Sequence, residues 1–159
     1  MTRHAAPSRG GVSVGLLNDL PPLEAGAVRY LRHWFSGAEA RADLYQAFCG
    51  RLGNRQAESA FECFGALCDF CVAHGRRPLV RHGMTCSCLG ADENCFANLL
   101  GAAATGDLEE ATLLAALIVQ PQKALALSAL AARTGPFLQQ ITGNIPARRI
   151  YRPGDATLH

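Results

Sequence analysis

Lysine is almost missing from this chain: of its 15 basic residues only Lys123 is a lysine, and the other 14 are arginines. Isoleucine and valine are scarce as well, numbering 10 together against 48 for alanine and leucine. β-Branched side chains lose freedom in a helix while Ala and Leu do not, so this imbalance argues against a sheet protein and for helices. Charge of one sign is also lacking. A formal net charge of +2 over 159 residues excludes a protein whose main work is coating nucleic acid. No apolar run is long enough for a membrane span, because the most apolar stretch, 111–130, is interrupted by Gln120-Pro121-Gln122-Lys123. Residues 1–18 hold no apolar run of secretory-signal length. A glycine-rich phosphate loop after a strand and an H-E-x-x-H pair are both absent, which removes the familiar nucleotide-binding and zinc-protease patterns.

What is present is an apolar fraction of 49% and a charged fraction of 18%, the balance of a folded domain of ordinary size. The expected fold is all-α, a single-domain orthogonal bundle of six or seven short helices with no strand. Residues 1–18 read as a flexible arm, 19–143 as the helical domain and 144–159 as a basic tail carrying Arg148, Arg149 and Arg152. Leu23, Ala27, Leu31 and Trp34 recur at helical spacing after Pro21-Pro22. Ser36 and Glu39 have the spacing of a capping box for the next helix. Asn54 opens a longer helix that ends at Gly75. Asp92 and Glu93 suit the first turn of another, where carboxylates complement the positive end of the dipole. Residues 111–119 are almost entirely apolar, so that helix belongs at the centre of the bundle or in an interface between copies. Gly135-Pro136 is expected to break the last helix in two.

The chemistry concentrates in one stretch. Six of the seven cysteines and two of the five histidines fall between Cys63 and Cys95, with the spacing C-x4-C-x2-C-x2-H-x7-H-x3-C-x-C-x6-C. Seven reduced thiols fit a cytoplasmic protein better than a disulfide framework. Residues 75–90 contain Pro78, Gly83 and Gly90 with no clean period, and make an unusually long connection for a small domain. Zinc takes four soft or borderline donors at tetrahedral corners. Cys68, Cys71 and His74 lie on successive turns of one helix, and His82, Cys86, Cys88 and Cys95 follow on the loop and the next helix. Those seven are the candidate ligands, with zinc ahead of an iron–sulfur cluster, and metal would then hold the loop in place. Against this, Cys63, Cys68 and Cys71 also fit a buried helix face, where free cysteine is most often found.

The reading that follows is a binding or regulatory module rather than an enzyme, its zinc-fixed loop shaping a surface for a protein partner. The alternative is a metal-free thiol redox sensor or thiol-dependent enzyme using Cys86, Cys88 and Cys95. Arg76, Arg77, Arg81 and His82 lie close by in sequence and would favour thiolate. The arginine pairs 76–77 and 148–149 are short enough to be ordinary solvated surface, so nucleic acid and membrane are not the expected partners. The apolar helix 111–119 offers a route to a homo-oligomer.

Overall fold

A computed structural model describes residues 9–143. Six α-helices dominate it: α1 (Pro22–Trp34), α2 (Ala38–Leu52), α3 (Asn54–His74), α4 (Ala91–Ala104), α5 (Leu108–Ile118) and α6 (Ala124–Thr142). The all-α helical bundle expected from composition is what forms. Glycines set the ends of α2. Gly37 (φ 102°) precedes it and Gly53 (φ 79°) follows it, and both are left-handed conformations that a Cβ would disfavour. The Asp107 carboxylate accepts from the Glu110 amide and caps α5. The capping box expected at Ser36 and Glu39 does not form. Gly37 takes the cap position, and the Ser36 hydroxyl donates back to the Arg32 carbonyl instead.

The core gathers around Phe64, which meets Tyr30, Trp34, Phe48 and Phe96 with centroids 6.2–6.4 Å apart and rings near perpendicular. The central position belongs to α4, which packs against α1, α5 and α6 and buries Glu93, Phe96, Ala97, Leu99, Leu100 and Ala103. The expectation that 111–119 occupies the centre is corrected here. Helix α5 buries only Ala111, Ala115 and Ile118, and leaves Leu113 and Leu117 67% and 63% exposed. Its small residues permit close approach to α4 while Leu113 and Leu117 face outward, so an all-apolar sequence did not mean an all-buried helix.

Two further expectations are overturned. Helix α6 runs unbroken through Pro136. Gly135 lies so close to Ala104 that an added Cβ would come within 2.9 Å of its backbone, and this packing on α4 holds the helix across the lost hydrogen bond. The described part of the supposed arm, 9–18, is built into the domain. Ser13–Leu16 forms β1 and pairs antiparallel with β2 (Cys88–Gly90), with Leu16 opposite Cys88. Leu17 is buried with Ala25, Val28, Leu89 and Ala97 in a small second cluster. A four-residue strand containing Ser and Gly is too short to announce itself by alternation. Residues 1–8 and the 144–159 tail lie outside the described residues. Among the described residues no helix is long and apolar enough to cross a membrane.

Candidate functional site: a buried ion pair carrying a cysteine–histidine pair

The irregular segment between α3 and α4 is held by charge. Arg32 on α1 and Glu93 on α4, 61 residues apart, are both almost fully buried and joined at 2.6 and 2.9 Å through Nε and Nη2. The remaining donors of Arg32 go to the loop: Nη1 to the Cys86 carbonyl at 2.7 Å and Nη2 to the Cys88 carbonyl at 2.8 Å. Glu93 accepts in turn from the amides of Gly90 (3.0 Å) and His82 (3.2 Å). Four backbone groups of the loop therefore end on one salt bridge. Burial raises the Glu93 pKa, but the Arg32 hydrogen bonds and the Gly90 amide outweigh it and leave the carboxyl below its usual range. A bidentate pair of Arg77 with Asp92 (2.7 and 2.9 Å), whose carboxylate also accepts from the Val80 amide at 2.7 Å, secures the outer half.

This frame fixes the direction of the thiols. The Cys86 and Cys88 carbonyls both face Arg32, while the intervening Ser87 carbonyl accepts from Leu17 N at 2.8 Å on the opposite side. That alternation is extended backbone, which puts side chains i and i+2 on one face. The same alternation puts the Cys88 side chain on the Cys86 face. The His82 ring completes the group. Its Nε2 lies 2.9 Å from the Gly11 carbonyl and its Nδ1 lies 3.5 Å from the Cys86 sulfur. A carbonyl can only accept, so Nε2 carries a proton, and in the neutral ring Nδ1 is then the acceptor turned to the thiol. Transfer of the Cys86 proton gives a thiolate–imidazolium pair. The His82 hydrogen bond, aided by the Cys88 amide, lowers the Cys86 pKa, and the same contact raises that of His82. Gly90 leaves room for the ring, since a Cβ there would sit 2.9 Å from it.

The seven residues singled out as ligands divide into separate environments. Cys68 and Cys71 are core residues of α3 whose thiols burial pushes up, Cys71 to about 12. Cys95 is pushed up to about 11, chiefly by burial, and donates to the Leu114 carbonyl at 3.6 Å. His74 packs beside Phe70, with ring centroids 4.4 Å apart and planes tilted by 51°. His82 and Cys86 meet directly, while Cys71 lies within electrostatic reach of Cys68 and Cys95. Among the described residues no three His, Cys, Asp or Glu side chains form a group able to hold a metal ion. The contacts that anchor the loop among the described residues are those of the Arg32–Glu93 pair.

Arg32, Glu93 and Gly11 were not anticipated as site residues. Two of them carry a readable signal. Arg32 continues the stripe Ala25, Val28, and Glu93 begins the stripe Phe96, Ala97, Leu100, so each is a lone charge on an apolar helix face. Gly11 acts through its carbonyl, which no side-chain pattern reveals. Comparison with family models, curated proteins and solved structures finds no match to this chain.

Proposed function

We propose that this protein is a thiol-based redox module in which Cys86 is the reactive cysteine and Cys88 its resolving partner. The observation that supports this reading is the His82 ring, held by the Gly11 carbonyl with its free nitrogen toward the Cys86 sulfur. The oxidant would be a hydroperoxide. The Cys86 thiolate takes its terminal oxygen, the O–O bond breaks, and the proton on His82 passes to the leaving alkoxide or hydroxide. The products are a Cys86 sulfenic acid and an alcohol or water. The Cys88 thiol then attacks that sulfur, and a disulfide forms with loss of water. An external dithiol returns the pair to its reduced state. Two residues of extended chain separate their Cα atoms by about 6.6 Å, the long end of disulfide geometry, which suits a bond that is easily reduced rather than a structural one.

Stoichiometric hydrogen peroxide followed by peptide mass analysis tests the reading. A Cys86–Cys88 disulfide reversed by dithiothreitol is expected, with dimedone labelling Cys86 when Cys88 is replaced by Ser. Labelling spread over the seven cysteines, or oxidation no faster than that of a free thiol, would overturn it. The structural-zinc reading needs four converging donors and has less support from this geometry.

A protein partner fits the outward leucines. Leu113 and Leu117 lie one turn apart on α5 with little cover, and self-association through this helix is the second part of the proposal.

A further inference from the structure

A cavity of about 470 Å3 opens where α3 gives way to the 75–82 segment, away from the Cys86 sulfur, which does not line it. Its walls combine two chemistries. Phe35, Val72 and Leu79 supply apolar surface, and Arg76, Arg77 and Arg81 supply positive charge, with no acidic residue in the lining.

The three arginines are not equally engaged. Arg77 is committed to Asp92 through both terminal nitrogens. Arg76 makes one long hydrogen bond, 3.4 Å, to the Ala116 carbonyl. Arg81 has its guanidinium 4.2 Å above the Phe35 ring, and among the described residues no carboxylate lies within ion-pair distance of it. Partial burial lowers its pKa, and the Glu93 charge, beyond ion-pair distance, offsets this only in part, while Arg81 itself stays exposed to an incoming anion. Stacking on an aromatic face leaves the edge donors of a guanidinium free to grip a planar anion.

We propose that this cavity binds a small organic anion, a carboxylate or phosphate on an aromatic or short apolar body. Arg81 and Arg76 hold the head group, and Phe35, Val72 and Leu79 cover the body. The volume lies within the roughly 300–1,000 Å3 typical of small-molecule pockets, and an apolar lining with a few placed charges is their usual composition. The site stands apart from the thiol proposal and does not depend on it.

The test uses the full chain and four probes: 1-naphthoate, 1-naphthyl phosphate, 1-naphthalenemethanol and inorganic phosphate. Binding is followed by calorimetry and by amide shifts of residues 72–82. Saturable binding of at least one naphthyl anion is expected, with the neutral alcohol weaker by about tenfold or more and affinity falling as salt rises. Whichever anion binds more tightly identifies the head group. Arg81→Gln should weaken it. Because that variant touches the packing of Phe35, the rim position Val72, which is 67% exposed, supplies an independent pair. Val72→Glu should weaken anion binding and Val72→Lys should strengthen it, with the fold intact in both. The proposal is overturned if the alcohol binds as well as the anions. It is equally overturned if inorganic phosphate does so, if the two Val72 variants bind alike, or if no probe saturates.

Discussion

Replacing Glu93 by Gln keeps the shape of the side chain and removes its charge, leaving the Arg32 guanidinium buried with no counter-ion. Both side chains are at most 1% exposed, so water cannot take over. Breaking a buried pair from one side costs about 3–5 kcal/mol, a large share of the roughly 5–15 kcal/mol that holds a typical domain folded. For a chain of this size the loss corresponds to a drop in melting temperature on the order of 10 °C. Buried ion pairs can often be replaced by apolar pairs at little cost. Here Arg32→Leu with Glu93→Leu should not recover the stability, because the Cys86 and Cys88 carbonyls and the His82 and Gly90 amides lose their partners as well. Urea unfolding of the wild type, the Glu93→Gln variant and the double variant measures both effects. Limited proteolysis should show the 75–90 segment cut first in the variants. Acid should mimic the mutation: with its folded pKa depressed, Glu93 stabilises above its unfolded value of about 4.3, and that stability is lost as pH falls through the folded value. The reasoning fails if Glu93→Gln costs under about 1 kcal/mol, or if the doubly apolar variant matches the wild type.

Three further outcomes are expected. The rate of Cys86 alkylation by iodoacetamide should rise with pH through a midpoint below the usual thiol value of about 8.5, and His82→Ala should return that midpoint to the ordinary range; an unchanged profile in the variant would remove His82 from the thiolate's support. Dialysis against EDTA should leave both the melting temperature and the proteolysis of 75–90 unchanged, because Arg32 and Glu93 anchor that segment; a drop in either would return metal to the site. Leu113→Glu with Leu117→Glu should shift a self-associated species to monomer in light scattering without loss of helix signal, and a wild type that is already monomeric at high concentration would refute the α5 interface.

The helices were legible because their signals are local: Pro22 in the first turn of α1, Asp92 and Glu93 in the first turn of α4, and stripes such as Leu23, Ala27, Leu31. What the sequence concealed depends on long-range pairing. The Ser13–Leu16 strand exists because it meets Cys88–Gly90, and neither half has enough alternation to be seen alone. Helix α6 crosses Pro136 because Gly135 fits against Ala104. The spacing of the cysteines does not reveal which of them lie side by side. Cys68, Cys71 and Cys95 are spaced like ligands, yet they follow the apolar stripes of α3 and α4 toward the interior, where burial raises their thiols. Of the loop members, surrounded by polar residues, His82 and Cys86 are the two that meet.

The ion pair and the thiol pair are one device, which can be tested apart from stability. Arg32 fixes the carbonyls on either side of Ser87, and Glu93 fixes the His82 amide, so the positions of both thiols and of the ring that faces them come from the same four charged atoms. Arg32→Lys separates charge from geometry. Lysine preserves the positive partner for Glu93 but offers a single nitrogen in place of the planar fork, and one ammonium cannot reach Glu93 and two carbonyls in the directions that a guanidinium does. The 86–88 backbone should then lose its alternation while the charge balance in the interior is retained. The expected result is a smaller loss of stability than Glu93→Gln gives, together with a Cys86 alkylation midpoint shifted upward toward the free-thiol value. If Arg32→Lys alters stability and leaves that midpoint where it was, the ion pair only holds the fold, and His82 with Gly11 positions Cys86 unaided.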